Sequence, residues 1–275
     1  MKKRIWIFVL MLASSVCFGQ KFERGDYAYV DASSGLRVRD AANLNAKKID
    51  VVYDRMKVQI LEVGPEVTID GISSNWIRIL LPVKTIENTR TESGWVFGGY
   101  LSSDLKPFSV EGWTDQDLIL YLCRFQWHDG NWNFSDFYPD GKCSSYKPES
   151  SFGGNGTFSV SMKDKSIDVT NKYWDDSEEW EKTVTTHYSI TMIEEDYFAV
   201  TLNGEYLIYE PSFYTYPDYF NSLGRENVEL YGYDRGWINV LCYEFGQRKL
   251  KEFASERQVG EYFMANCNKM GIVIE

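Results

Sequence analysis

Short alternating runs of hydrophobic and polar residues dominate the first third of the chain. At residues 36–39, for example, Leu and Val alternate with two Arg residues. A period of two places successive side chains on opposite faces of a strand. Gly, Asn, Asp or Ser bounds most runs, so the pattern predicts a small all-β barrel over residues 25–105. The runs occupy residues 26–30, 36–39, 57–61, 76–79 and 95–97.

Longer strand patterns follow, and a helical pattern ends the chain. Asn203-Gly204 separates two runs and favours a type I′ hairpin. Ser255 and Gln258 fit a capping box, and apolar residues then recur at helical spacing, which predicts a helix at 256–270. Residues 106–275 are therefore predicted as a second antiparallel β-barrel or meander domain with a C-terminal helix, in a mainly β protein. Further strands are expected at 118–127, 132–138, 157–162, 166–170, 183–192 and 236–245, with an aromatic loop at 212–220.

Four motifs in the first region resemble those of bacterial SH3-like domains. Residues 32–40 read Ala-Ser-Ser-Gly-Leu-Arg-Val-Arg-Asp, and residues 75–79 match the family's Trp-x-x-Val strand. The closing Gly-Trp-Val and Tyr-Leu motifs stand at 94–96 and 100–101. Residues 53–58 correspond to the family's turn into the next strand, where Gly is usual and Arg55 departs from it. The resemblance implies a small β-barrel binding module of secreted bacterial proteins. Its expected partner is a cell-wall peptide or another envelope protein.

Residues 113–210 are similar to lipocalin-like small-barrel domains of bacteria. The similarity rests on a Phe-Tyr-Pro-Asp-Gly turn at 137–141, a strand at 156–160 and the Asn203-Gly204 hairpin. Gly112-Trp113 departs from the family's Gly-x-Trp. The resemblance implies a barrel that carries a small apolar ligand in a cavity, or one filled by its own side chains. Polar strands such as 182–186 leave few apolar residues to line an empty lumen, which favours the filled scaffold.

Aromatic residues of the first domain are the candidates for a ligand groove. Peptide-binding SH3 domains generally use an aromatic-lined groove. The candidate groove consists of Tyr53, Trp76, Trp95 and Tyr100. Arg39 is expected to brace a loop rather than contact ligand, because a guanidinium group commonly ties loops together. The polar insert at 81–93 is expected to lie beside the groove and to shape its specificity.

Composition supplies little material for catalysis. Aromatic residues make 16% of the chain, but only two histidines are present. The only pair that fits a cysteine peptidase is Cys143 with His187, and Lys142 stands where such enzymes place Asp. We therefore expect no enzyme, no cofactor and no metal site. The acidic run at 175–181 lacks the spaced ligands of a calcium loop and is interpreted as a solvated loop.

The N-terminus has the pattern of an export signal. A basic start at residues 2–4 precedes an apolar run at 5–12 and then small residues. This predicts a signal peptide at residues 1–19, cut after Gly19, and a periplasmic or cell-surface location. The alternative is a lipoprotein signal with Cys17 as the lipid anchor, although Val16 before it is not small. The run is too short to span a membrane.

The charge distribution bears on the partners of the protein, and the cysteine content bears on its disulfides. Residues 106–275 carry 28 acidic and 15 basic residues, which makes nucleic acid a poor partner. Four cysteines follow the predicted signal peptide, and none forms a C-x-x-C motif. Free thiols and one or two disulfides are both compatible with an oxidising compartment, and the pairing stays open. These cysteines are Cys123, Cys143, Cys242 and Cys267.

Overall fold

The computed structural model describes most of the chain beyond residue 20. The predicted signal peptide, the aromatic loop at 212–220 and Cys267 lie outside the described residues. The described residues are 21–82, 85–87, 89, 91–130, 133–146, 153–175, 180–211, 228–245, 247–266 and 269.

Residues 27–102 form a curled, seven-stranded antiparallel sheet. Its strands are β1 (Tyr27–Val30), β2 (Leu36–Arg39), β3 (Lys48–Val52), β4 (Lys57–Ile69), β5 (Ile72–Leu80), β6 (Ser93–Phe97) and β7 (Leu101–Ser102). Their order is β3-β2-β6-β5-β4-β1-β7, and a 3-10 turn at Gly98–Tyr100 precedes β7. The alternate residues Val38, Val58 and Ile60 are fully buried, as the period of two predicts.

A closed eight-stranded antiparallel barrel follows this sheet. Helix α1 (Asp115–Leu122) precedes β8 (Gln126–His128), β9 (Phe134–Phe137), β10 (Lys142–Tyr146), β11 (Gly153–Ser161), β12 (Ser166–Asp175), β13 (Trp180–Ile193), β14 (Phe198–Leu202) and β15 (Glu205–Pro211). Each strand pairs with the next one along the chain, and β15 closes the barrel against β8. At the β14–β15 turn Asn203 and Gly204 have φ of 53° and 87°, as the predicted type I′ hairpin requires. The predicted second β-barrel is confirmed.

The predicted strand at residues 118–127 is wrong over its first half, because residues 118–122 belong to α1 and the strand β8 begins only at Gln126. Thr114 is the N-cap: its hydroxyl accepts the backbone N–H of Asp117, and the Asp117 carboxylate accepts the N–H of Thr114 at 2.8 Å. This reciprocal pair satisfies two N–H groups that would otherwise lack partners at the helix start. The helix then buries Leu118 and Leu122, four residues apart on one face.

Aromatic side chains fill the barrel interior at the end covered by α1. Trp127 is fully buried, and its ring centroid lies 4.9 Å from that of Phe198. Phe198 stacks on Tyr209 at 4.9 Å, and Tyr121 of α1 packs 5.4 Å from Trp127. Rings at these distances leave no room for a further molecule between them. This part of the barrel is therefore a packed core.

A third unit completes the described chain. Strands β16 (Val228–Asp234), β17 (Trp237–Glu244) and β18 (Gln247–Phe253) form a three-stranded antiparallel sheet, followed by helix α2 (Glu256–Asn266). Ser255 accepts the N–H of Gln258 at 3.3 Å, so the helix begins as the capping pattern predicts. Residues 267, 268 and 270 of the predicted helix lie outside the described residues. Val259 and Phe263 are almost fully buried on one face of α2.

One carboxylate, Glu195 in the β13–β14 turn, joins all three units. Arg55, between β3 and β4, places Nη2 3.0 Å from Glu195 Oε2. Arg235, between β16 and β17, donates from Nε to Oε1 at 3.1 Å. Partial burial alone would raise the pKa of Glu195, but the two guanidinium groups outweigh it and hold that pKa below its ordinary value. The carboxylate is therefore ionised and doubly paired.

Further contacts fix the first sheet to each of its neighbours. The hydroxyl of Tyr53 donates to the carbonyl of Cys123 at 3.0 Å, just after α1. On another face, the indole N–H of Trp237 donates to the carbonyl of Lys57 at 2.7 Å. The Lys57 ammonium also pairs with Glu252 at 2.9 Å and lies 4.6 Å from the ring centre of Tyr27. Polar contacts thus join the three units, one of them buried at Tyr53 and one partly buried at Trp237.

We expect Glu195→Gln to lower the free energy of unfolding by about 2 kcal/mol, because an amide leaves two guanidinium groups without their counter-charge. Urea titration measures this. Glu87→Gln is the control, since it removes an exposed pair with Lys48 and should cost about 0.5 kcal/mol or less.

The effect should depend on pH. A carboxylate with a lowered pKa stabilises the fold above its unfolded pKa of about 4.3, and this contribution is lost as the pH falls through the folded value. The difference between wild type and Glu195→Gln should be constant above pH ~5 and shrink below ~4. Equal stability at pH 7 would contradict the role given to Glu195.

Candidate functional site

Three of the four candidate groove residues share one side of the first sheet. Trp76 lies on β5, Trp95 on β6, and Tyr100 in the turn that follows β6. Phe97, which the sequence analysis did not single out, connects two of them: its ring centroid lies 6.3 Å from Trp76 and 5.7 Å from Tyr100. We call Trp95, Trp76, Phe97 and Tyr100 the aromatic strip. Its members differ in exposure, since Trp76 and Phe97 are buried while Trp95 and Tyr100 are half-buried.

Tyr53, the fourth candidate, lies away from the strip. It is 2% exposed, between the first sheet and the segment after α1. Burial raises the pKa of its hydroxyl well above the ordinary value, with a smaller contribution from Cys123. In this position Tyr53 joins two parts of the fold.

Trp95 is held against the backbone of β4. A methyl group placed on Gly64 would lie 2.7 Å from Cζ3 of Trp95, so only a glycine leaves room for the ring. The ladder between β4 and β5 is irregular here, with a register shift between Val63 and Glu66. Such bulges bend a strand and twist it locally. The bend brings the outer half of the β4–β5 hairpin over the ring, leaving part of the indole exposed.

The outer half of this hairpin is fixed at its tip by Tyr100. The Tyr100 hydroxyl donates to Asp70 Oδ2 at 2.7 Å, and this bond raises the pKa of the phenol. Nearer its base, the side-chain amide of Asn75 donates to the carbonyl of Gly64 at 2.8 Å. The half-buried members of the aromatic strip therefore serve two purposes: Tyr100 and Trp95 contact the hairpin, and their exposed parts contribute to a surface.

The polar insert is pinned to β3 by a buried carboxylate. Asp50 is fully buried, and its Oδ2 accepts the Thr85 hydroxyl at 2.8 Å and the Thr89 N–H at 3.2 Å. The N–H of Ile86 donates to the carbonyl of Val51 at 2.8 Å. The insert thus runs along the β3 edge, and β2 lies between β3 and the strand that carries Trp95.

Open depressions border the first sheet on more than one side. One, of about 680 Å³, lies beside Arg78 and is lined also by Phe22, Leu61 and Val63. Another, of about 630 Å³, lies between Ile86 of the insert and the β9–β10 turn of the barrel. The first is next to the aromatic strip, because Arg78 is the cross-strand partner of Trp95.

Arg39 is held as a brace. Its Nη1 donates to the carbonyl of Ala46 at 2.7 Å, across the loop that joins β2 to β3. It is also the cross-strand partner of Trp95 on the side away from Arg78. The indole therefore lies in a row between two arginines.

Cys143 and His187 occupy opposite sides of the barrel wall. Cys143 is 4% exposed, and its thiol donates to Asn171 Oδ1 at 3.5 Å. Burial raises the pKa of this thiol to about 11. His187 lies on the exposed face of β13, with Nδ1 2.6 Å from Asp168 Oδ1, and two strands separate it from β10. Nothing in this placement brings the imidazole to the thiol.

Other reactive or metal-binding groups are few among the described residues. Cys123, Cys143 and Cys242 are buried, and none of them forms a disulfide among the described residues. Within the described ranges, no group of three or more His, Cys, Asp or Glu side chains is arranged to hold a metal ion. No helix in the described part of the chain has the length and apolar character that crossing a membrane requires.

Comparison with known proteins gives a family match for the first sheet. No curated protein and no solved structure matches the chain. The eight-stranded barrel is consistent with the lipocalin-like barrel that the sequence predicts. The family model of the bacterial SH3 domain matches residues 34–102, which run from the start of the Gly-Leu-Arg-Val-Arg motif to β7 and include the whole aromatic strip. This match confirms that the first sheet is a bacterial SH3-like domain.

Proposed function

We propose that the protein is an exported, non-catalytic binding protein of the bacterial cell envelope, whose SH3-like domain recognises a cell-wall peptide. Bacterial SH3 domains commonly bind cell-wall components. The match over residues 34–102 is the observation that carries the proposal. A segment of another envelope protein is the alternative ligand, and the experiments below distinguish it.

The surface around Trp95 is where we place the ligand. Trp95 is a half-buried aromatic side chain fixed by Gly64, and fixed aromatic residues lose little conformational entropy on binding. A depression beside it offers space for an extended chain. Other faces of the SH3-like sheet are occupied by the barrel, through Tyr53, and by the third sheet, through Lys57.

The barrel is proposed as a scaffold. A carrier of the lipocalin type needs an open apolar cavity of a few hundred cubic ångströms. The stacked rings of Trp127, Phe198 and Tyr209, closed off by α1, support a filled interior instead.

The absence of catalysis is likewise a proposal. A cysteine peptidase needs a thiolate with an imidazole within hydrogen-bond reach. The buried, protonated thiol of Cys143 and the outward position of His187 both support a non-enzymatic role.

A cell-wall sedimentation assay tests the binding proposal. We expect the full chain to be retained on purified peptidoglycan at low salt, and Trp95→Ala to reduce retention about tenfold or more, because interface tryptophans often dominate binding energy. Tyr206→Ala is the control, since this tyrosine is 52% exposed on the barrel wall. Melting curves of both variants verify folding. Absence of wild-type retention would reject the cell-wall ligand and favour an envelope protein.

Thiol labelling tests the non-enzymatic role. With its pKa near 11, less than about 1% of the Cys143 thiol is ionised at pH 8. We expect no iodoacetamide adduct at Cys143 in the native protein and complete labelling in urea, as measured by peptide mass spectrometry. Rapid labelling of native Cys143 would instead point to an activated nucleophile.

Intact-mass measurement tests export. Protein isolated from its native host should begin at Gln20, because the predicted signal peptide is removed during export. A mass that still includes residues 1–19 would contradict export. A diacylated mature protein beginning at Cys17 would show the lipoprotein route instead.

A further inference from the structure

Arginine residues lie on both sides of Trp95, the half-buried residue of the aromatic strip that belongs to a strand. Trp95 of β6 pairs with Arg39 of β2 on one side and with Arg78 of β5 on the other. Arg37 lies two residues before Arg39 and is exposed, whereas its neighbours Leu36 and Val38 are buried. Arg37, Arg39 and Arg78 therefore lie on the same outer face of the sheet as the indole.

The positive charge of this face is only partly compensated. Arg78 Nη1 lies 3.9 Å from Glu62 Oε2, with both side chains about half exposed, and such a pair contributes little free energy. Lys48, farther along the row on β3, is neutralised by Glu87 at 2.5 Å. Arg39 is committed to the carbonyl of Ala46. Arg78 Nη2 also donates to Ser93 Oγ at 3.2 Å, and the exposed Arg24 lines the depression beside Arg78 together with Glu23 and Glu62. On the strands around Trp95, Arg37 and Arg78 are thus the exposed guanidinium groups that a ligand can reach.

We propose that Arg37 and Arg78 bind two carboxylates of the ligand while Trp95 packs against the chain between them. Guanidinium groups match carboxylates through paired N–H donors, and an adjoining aromatic ring supplies apolar contact. The two arginines stand on strands separated by β6, and Arg37 lies two residues along β2 from the row of Arg39, Trp95 and Arg78, so their backbones lie roughly 12 Å apart. An extended peptide covers that distance in about three to four residues.

This spacing selects a ligand chemistry, given the proposed cell-wall function on which the inference rests. The stem peptide of the wall, L-Ala-D-Glu-L-Lys-D-Ala-D-Ala, carries one free carboxylate on its second residue and another at its C-terminus. The two groups are separated by about the span between the arginines. Residues after position 105 are acidic, with 28 acidic and 15 basic residues, whereas three arginines stand together on this face, with Glu62 beside Arg78.

Isothermal titration of the full chain tests the inference. The probe is the free stem pentapeptide, compared with the same peptide amidated at both carboxylates. We expect the free peptide to bind, amidation to abolish binding, and Arg37→Gln or Arg78→Gln to weaken binding about tenfold each, as the loss of a charged hydrogen bond predicts. Both side chains are exposed, so both variants should keep the wild-type melting temperature.

The control variant is Lys142→Gln, which removes one exposed positive charge at the start of β10 in the barrel. It should bind like wild type. Equal binding of the free and amidated peptides, or unchanged binding by both arginine variants, would overturn the inference while retention on peptidoglycan still upheld the proposed function. Binding of an L-Glu hexapeptide without binding of the stem peptide would overturn both and assign the face to an acidic protein segment. Failure of all these probes to bind would also reject the inference.

Discussion

The arrangement of the molecule depends on a single ionised carboxylate held by two arginines from different parts of the chain. Arg55 and Arg235 both have left-handed backbones, with φ of 65° and 47°, and both reach Glu195. That conformation costs a non-glycine residue about 1 kcal/mol or more. A glycine would adopt this backbone conformation without strain, but the Arg55 side chain directs a charge at the barrel. The ion pairs therefore offset a local strain and define where the three units meet.

Because the units meet in this way, the faces of the SH3-like sheet differ in what covers them. The side that carries Tyr53 is buried against the segment after α1, and the side that carries Lys57 is covered by Trp237. The side with Trp95 keeps a half-buried indole and exposed arginines. A surface that presents an aromatic ring with exposed charged groups beside it is suited to binding a charged, extended ligand.

The barrel carries Glu195 in the turn between β13 and β14. Inside the barrel, Trp127 and Phe198 pack against each other and against Tyr121 of α1, and such close packing forms a dense core. The Glu195 carboxylate pairs with Arg55 and so ties the SH3-like domain to the barrel.

The sequence alone determined the local structure and the class of the first domain. Alternation located its strands, the Gly-Leu-Arg-Val-Arg and Gly-Trp-Val motifs identified the bacterial SH3-like family, and Asn203-Gly204 fixed a hairpin. These signals are local, because they depend on strand period and on the backbone angles of a few residues. The same reasoning missed α1, since a run of apolar residues fits a buried helix as well as a strand and the Thr114–Asp117 capping pair decided between them.

Only the tertiary structure decided which aromatic residues face solvent and which charges meet. Trp95 and Tyr53 look alike as candidates in the sequence, but one is half-buried against Gly64 while the other is enclosed between two units. The pairing of Glu195 with Arg55 joins residues 140 positions apart. No periodicity reports contacts at such a separation, because they depend on how whole units pack together and on which side chains that packing desolvates.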